Sequence, residues 1–156
     1  MRLLLVVSLA ILAGGCSSNQ PTESSAGRPP GKVEQRIGPP RAWLETQAGN
    51  QWLGAGSSCW QFRGDGLCAD MIAPSCEQRG IPHFRVTSGE TVRAHLGFDP
   101  DEASLAGEPG IAEPTQLRGR ILEWQFSKGG VFTVFAKGGK GDASYSGCAE
   151  LTTKTS

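Results

Sequence analysis

Residues 83–98 read HFRVTSGETVRAHLGF, and this stretch decides the fold class. On either side of the turn-forming residues 88–90, apolar and polar side chains alternate one by one, as in a strand with one buried face. The apolar face consists of Phe84, Val86, Val92, Ala94, Leu96 and Phe98. Leu122, Trp124 and Phe126 repeat the same period. No stretch after residue 40 shows helical spacing over three turns, so we expect an all-β domain.

Glycine-rich turns at 127–130 and 138–142 separate further short strands, which predicts about seven to nine strands in residues 41–156. Two apolar faces need two sheets to bury them, which favours an immunoglobulin-like β-sandwich. A small closed β-barrel is the alternative architecture. Residues 99–114 are acidic and proline-rich, so we expect an irregular crossover there with a short edge strand near Ser104.

Composition limits the function as well as the size. The chain has 156 residues and 22 glycines, which suits one loop-rich domain and excludes a coiled coil or a multi-span membrane protein. Lys and Arg number 15, as do Asp and Glu, so no overall charge attracts nucleic acid, and we expect no nucleic-acid partner.

The N-terminus predicts export. Residues 1–15 have one positive charge, an apolar run too short to span a bilayer and a small-residue ending, as a signal peptide does. The sequence Leu12-Ala13-Gly14-Gly15-Cys16 resembles the bacterial lipobox, which implies that Cys16 is lipidated and becomes the first mature residue. A plain secreted protein cleaved near this point is the alternative. The expected location is the extracytoplasmic face of the cell membrane or of an outer membrane.

A separate segment follows the lipidated cysteine. Among residues 17–40, twelve of 24 are Ser, Pro or Gly, and none is aromatic. Such a composition buries too little apolar surface to offset the entropy of ordering, so residues 16–40 are expected to form a disordered tether. The β-sandwich domain would then occupy residues 41–156.

The remaining cysteines predict a disulfide framework. Cys59, Cys68, Cys76 and Cys148 are an even number in an oxidising compartment, and three pairings are possible. A tight turn at residues 63–64 would place Cys59 opposite Cys68 in a hairpin and leave Cys76 for Cys148. No Cys-x-x-Cys spacing exists and no histidine is near, so we expect neither a metal site nor a cofactor.

Four short motifs carry a family resemblance. They are Ser58-Cys59-Trp60, Cys68-Ala69-Asp70, a Val-x-x-Gly-x-x-Val pair at Val86, Gly89 and Val92, and Gly141-Asp142-Ala143-Ser144-Tyr145. Together they resemble a largely uncharacterised group of exported bacterial lipoprotein domains with Cys-Trp…Cys-Ala-Asp and Gly-Asp-x-Ser-Tyr motifs. The resemblance implies a β-sandwich at the cell surface. It implies no activity, catalytic residue or ligand, and Cys76 and Cys148 are additions to its pattern.

Candidate sites in the domain are few. No Gly-x-Ser-x-Gly, P-loop, His-Glu-x-x-His or dinucleotide-binding motif occurs, so we expect no enzyme activity and name no catalytic residue. The oxygens of residues 99–102 suit Ca²⁺, but the spacing favours an ordinary acidic turn. Arg63-Gly64-Asp65 matches an integrin-binding tripeptide, but it equally suits a turn.

Aromatic residues offer two further candidates. Trp60 and Trp124 are expected in the core, with Trp60 against the Cys59 disulfide. Trp43 or Trp52 would serve as an exposed stacking platform for a sugar or peptide, although packing at the core or sheet edge is favoured. If residues 88–90 close a hairpin, His83 and His95 stand side by side as a weak metal site; we favour two surface histidines without metal.

The leading hypothesis is a membrane-anchored extracytoplasmic binding or interaction module of the bacterial cell envelope. An envelope protein or a glycan is its expected partner, and the sequence identifies no ligand-binding residue. A structural or assembly accessory of an envelope complex is the alternative, followed by an enzyme with an unrecognised site.

Overall fold

All regular secondary structure in the described residues is β-strand. The computed structural model describes residues 27–31, 37–107, 111 and 115–153. The predicted signal peptide, the predicted lipidation site Cys16 and residues 17–26 and 32–36 of the predicted tether lie outside these residues. The described strands are β1 (Trp43–Thr46), β2 (Gly49–Trp52), β3 (Gly54–Phe62), β4 (Asp65–Ala69), β5 (His83–Thr87), β6 (Thr91–His95), β7 (Glu102–Gly107), β8 (Gln116–Arg118), β9 (Ile121–Gln125), β10 (Gly130–Gly138) and β11 (Gly141–Thr152).

The predicted number of strands was too low. The described residues contain eleven, because β2 and β8 form where no alternation marks them. β2 is the polar sequence Gly-Asn-Gln-Trp and pairs with β1 across a two-residue turn, whereas β8 has three residues and pairs with β9. Contacts distant in sequence therefore impose strand structure on weak local patterns.

The strands form two sheets that enclose one core. Sheet A has the order β2-β1-β6-β9-β8, and sheet B has the order β4-β3-β11-β10-β7. β5 pairs in parallel with the end of β11, beside the part of β11 that pairs with β3. The predicted disulfide-stapled β-sandwich is confirmed. The closed-barrel alternative is wrong for the described residues, because each sheet ends in separate edge strands.

The inner faces of the two sheets supply the core. Val92, Ala94, Leu122, Trp124 and Phe126 are buried, as the alternation predicts. The rings of Trp124, Phe126 and Phe132 contact one another with centroid distances between 5.2 and 5.9 Å. Complete burial of each such side chain stabilises the fold by about 1.5–3 kcal/mol relative to exposure.

Residues 88–90 connect the two sheets and do not close a hairpin. β5 belongs to sheet B, whereas β6 pairs with β1 and β9 in sheet A. The buried carboxylate of Glu90 accepts backbone N–H bonds from Thr87 at 2.8 Å and from Gln47 at 2.7 Å. These two bonds fix the chain at the corner of the sandwich.

The side-by-side pair of His83 and His95, which required a hairpin at residues 88–90, therefore does not form. His83 Nδ1 lies 2.7 Å from Glu150 Oε1 on sheet B, and His95 Nε2 lies 2.7 Å from Glu45 Oε2 on sheet A. The alternation correctly shows which side chains of β5 and β6 are buried. The alternation does not show which strand pairs with β5 or β6, because two strands of a hairpin and two strands in different sheets have the same alternation of apolar and polar residues.

Two described parts of the predicted tether contact the domain. Glu45 Oε2 accepts the backbone N–H of Gly27 at 3.3 Å, and Asn50 donates to the carbonyl of Arg28 at 2.6 Å. Residues 27–31 therefore lie against the outer face of sheet A. Farther along, the buried Tyr145 hydroxyl donates to Pro40 O at 2.6 Å, and burial raises the pKa of this phenol.

Candidate functional site

The loop between β4 and β5, residues 70–82, covers the outer face of sheet B. A disulfide joins Cys76 of the loop to Cys148 of β11, with a Cα–Cα distance of 5.4 Å. The backbone N–H of Met71 donates to Ser57 Oγ at 2.9 Å, and the N–H of Cys148 donates to Pro82 O at 2.9 Å. The loop is thus attached to the sheet near its start, at its middle and at its end.

A groove of about 500 Å³ lies between this loop and the sheet. We call it the sheet-B groove, and its principal lining residues are Ser57, Ile72, Thr133, Phe135, Ser144 and Ser146. A hollow of about 270 Å³ continues it past Phe135 towards Glu102 and Asp142. Another hollow, of about 300 Å³, continues it along Gly107 beneath the Cys76 end of the loop. The sheet-B groove shares lining residues with each hollow, so the hollows adjoin its two ends.

The floor of the groove consists of hydroxyl groups. Ser144 Oγ donates to Ser57 O at 3.0 Å, and Thr133 Oγ1 lies 3.0 Å from Ser146 Oγ. Ser144 and Ser146 are only 7% and 8% exposed although they point away from the core, and they line the groove beneath the loop. Outward-facing positions of β11 are thereby converted into the base of a cleft.

The walls of the groove are apolar and exposed. Ile72 is 87% exposed, Met71 is 54% exposed and Phe135 is 48% exposed. The first two lie on the loop and Phe135 lies on β10. Large apolar side chains that meet around a cleft are typical of ligand or protein contact sites.

A β-bulge shapes the groove at β3. Gly56 and Ser57 of β3 stand opposite the single residue Ser144 of β11. A Cβ at position 56 would overlap the Ser144 hydroxyl, which would have to rotate away from its bond to Ser57 O. Bulges bend a strand and redirect its side chains, and this one leaves Ser57 Oγ in place to hold the loop.

The second disulfide joins Cys59 to Cys68, the pairing that a tight turn at residues 63–64 predicts. Arg63 has φ 53° and Gly64 has φ 94°, which a type I′ hairpin turn requires at both central positions. Cys59 and Cys68 are exposed, whereas Trp60 is buried against Phe98. The predicted contact of Trp60 with the disulfide is wrong, because neighbouring residues of a strand point to opposite faces.

The candidate adhesion tripeptide straddles the end of this hairpin. Arg63 and Gly64 form the turn, while Asp65 pairs with Phe62 as the first residue of β4. The Arg63 guanidinium lies 5.2 Å from the centroid of the Phe62 ring. The turn itself therefore accounts for Arg63 and Gly64 at these positions.

The acidic segment 99–102 does not gather its carboxylates. Arg120 donates to both carboxylate oxygens of Asp99, at 2.5 and 2.7 Å, and this hydrogen bonding lowers the pKa of Asp99. Glu102 lies 3.5 Å from Lys137 Nζ. The two carboxylates face separate cations, and the described residues contain no cluster of metal-ligating side chains.

A polar cluster on the outer face of sheet A escaped the sequence analysis. Trp43 stacks on His95 at a centroid distance of 3.7 Å, and Arg93 donates to Glu123 at 2.8 Å and to Glu45 at 3.4 Å. The hydrogen bond to Glu123 raises the pKa of Arg93. The register of β1 with β6 brings these residues together, and no local pattern reveals that register.

The two candidate tryptophan platforms on sheet A are both engaged. Trp43 is buried and stacked on His95, while the Arg41 guanidinium lies 4.2 Å from the centroid of the Trp52 ring. Residues of this face thus contact one another and residues 27–31. The favoured prediction, packing at the core or sheet edge, describes both rings.

Comparisons with protein-family models, with curated proteins and with solved structures find no match for this chain. In the described part of the chain, no helix is long and apolar enough to cross a membrane. The sheet-B groove combines exposed apolar walls with polar groups. Sequence reasoning missed it because the loop and four strands that are distant in sequence line it together, and no local pattern shows that the loop lies over the sheet.

Proposed function

We propose that this protein is a membrane-anchored extracytoplasmic binding module of the bacterial cell envelope, and that it binds its partner in the sheet-B groove. The observation that carries the proposal is the loop that the Cys76–Cys148 disulfide holds over a floor of buried hydroxyls. A covalently fixed loop keeps the groove preformed, so binding costs little ordering entropy.

The lining favours an extended segment of an envelope protein over a glycan. Ile72, Met71 and Phe135 offer apolar contact area for side chains. Thr133 Oγ1 and Ser146 Oγ form one hydrogen bond with each other, which leaves one hydroxyl proton of this pair to donate to a main-chain carbonyl. Such a combination of apolar contacts and a few fixed polar groups gives both affinity and orientation.

The predicted lipid anchor would join the domain on the side of the sandwich away from the groove. Residues 27–31 lie on sheet A, on the opposite side of the sandwich from the groove. Ten residues lie between Cys16 and Gly27, and the eleven Cα–Cα steps limit their distance to at most about 40 Å. A lipid at Cys16 would therefore keep Gly27, and with it sheet A, within about 40 Å of the membrane surface.

Photo-crosslinking in expressing cells tests the groove. We expect benzoylphenylalanine at position 72 or 135 to give a discrete adduct, and benzoylphenylalanine at Thr91 on the outer face of sheet A to give none. Protease treatment of the adduct distinguishes a protein partner from a glycan. The absence of an adduct at both groove positions, or the same adduct at position 91, would contradict binding in the groove.

A further inference from the structure

Within the described part of the chain, β7 presents an open strand edge. It is the last strand of sheet B, and among the described strands it pairs only with β10, in regular register over six residues. Its sequence from Glu102 to Gly107 contains no proline, no lysine and no bulge. Such devices normally prevent another chain from pairing with a sheet edge.

The other edge strands of the two sheets differ from β7. β2 and β5 are shorter, with four and five residues. β8 has only three residues. β4 begins with Asp65 and Gly66, which are poor strand formers, and is tied to β3 by its disulfide. β7 therefore offers the longest regular edge for strand addition.

We propose that β7 pairs in antiparallel fashion with β7 of a second copy of this chain, with Ser104 opposite Ser104 of the partner subunit. Opposite residues of an antiparallel pair point to the same face, which allows this register. Ala103 then faces Leu105 of the partner subunit, and Glu102 faces Ala106 of the partner subunit. Glu102 is the single charged residue of β7, so no like charges stand opposite each other.

The pairing would extend the sheet-B groove across two subunits. Phe135 lies opposite Ser104 in the β10–β7 register, and both side chains are exposed. In the dimer, the two Phe135 rings would lie in one row with only two serines between them. The outer faces of the two sheets would thus become one continuous surface.

Strand pairing over five residues forms a small interface. Stable protein–protein contacts bury roughly 1,200–2,000 Å², which a single strand pair does not reach, so we expect weak association in dilute solution. The test must therefore trap the contact while the full chain remains in its native compartment.

Cysteine crosslinking of the full chain provides this test. Ser104→Cys places two thiols on directly opposed residues, at an expected Cα–Cα distance of about 4.5–5.5 Å, which suits a disulfide. The control is Ala106→Cys, because in the proposed register the two cysteines lie four residues apart along the strands, roughly 13 Å or more. Co-expression of Glu102→Cys with Ala106→Cys should restore the crosslink between the two different variants.

The expected result is a disulfide-linked dimer with Ser104→Cys and with the mixed pair, and none with Ala106→Cys alone. A dimer that forms equally at 104 and 106 would show random collision and overturn the proposal. A Ser104→Cys protein that stays monomeric would also overturn the proposal. This holds both when maleimide labels the added thiol and when another molecule shields that thiol from maleimide. This readout needs no groove ligand, so its failure leaves the groove proposal standing.

Discussion

Removal of the Cys76–Cys148 disulfide should be the most damaging change that leaves the core side chains intact. This bridge closes a sequence separation of 72 residues, whereas Cys59–Cys68 closes a separation of nine. The entropy that a crosslink removes from the unfolded chain grows with the logarithm of the loop length. It corresponds to about 4.4 kcal/mol for the long bridge and about 2.7 kcal/mol for the short one.

These free energies translate into melting temperatures. A domain of about 115 residues has an unfolding entropy near 0.24 kcal/mol/K, so we expect the melting temperature to fall by roughly 18 °C without the long bridge and by roughly 11 °C without the short one. Each double variant replaces both cysteines with alanine. Serine is avoided because Cys148 is buried and an unpaired hydroxyl there would add its own cost.

Thermal and urea unfolding, followed by circular dichroism and tryptophan fluorescence, measures both variants against the parent chain. The Cys59→Ala/Cys68→Ala variant is the matched control because it also loses one disulfide. Equal losses, or a larger loss for the short bridge, would refute loop length as the origin of the stabilisation. The long-bridge variant should in addition lose the photo-adduct at position 72, since its loop is no longer fixed over β11.

Three further changes have defined outcomes. Cys16→Ser should release the protein from membranes or leave it unprocessed, and fractionation and maturation like those of the parent would disprove the lipid anchor. Glu90→Gln should lower the unfolding free energy by about 1.5–3 kcal/mol, because an amide has one acceptor oxygen for the two N–H groups that the carboxylate binds. The control Glu77→Gln changes an exposed residue and should alter the unfolding free energy little. Equal effects of the two substitutions would contradict this role of Glu90. Gly141→Ala should lower the unfolding free energy measured in urea by about 2 kcal/mol or more, because φ is +136° and a Cβ would overlap the carbonyl of Cys59. The control Gly139→Ala places its Cβ in open space and should leave the unfolding free energy nearly unchanged.

The sequence predicted the faces of the strands better than their neighbours. Val92, Ala94 and Leu122 were assigned to the core from alternation alone, and all three are fully buried. Alternation is a local property of the chain, so it can be seen in a single segment. The pairing of β5 with β11 joins residues 83–87 to residues 148–152, and no local pattern encodes that contact.

Turn chemistry was the second reliable signal. The type I′ turn at Arg63 and Gly64 sets the register of β3 with β4, and that register places Cys59 opposite Cys68. The turn at residues 88–90 gave no such information. Its conformation depends on Glu90, whose carboxylate reaches Gln47 of a distant hairpin as well as Thr87 nearby.

The groove arises from the difference between the two outer faces of the sandwich. On sheet A, Glu45, Arg93 and Glu123 form ion pairs, and residues 27–31 lie over part of the face. On sheet B, Phe135 stands half exposed beside buried hydroxyls, although a charged residue at its position would be better solvated.

The loop makes this difference still larger. Ile72 is almost fully exposed at the rim of the cleft, where it contributes little to the core. The long disulfide holds the loop there, so the exposed apolar walls persist as a fixed surface. Apolar area that is kept rigid and open to water is typical of a contact site, and this supports the proposal that the partner binds on sheet B.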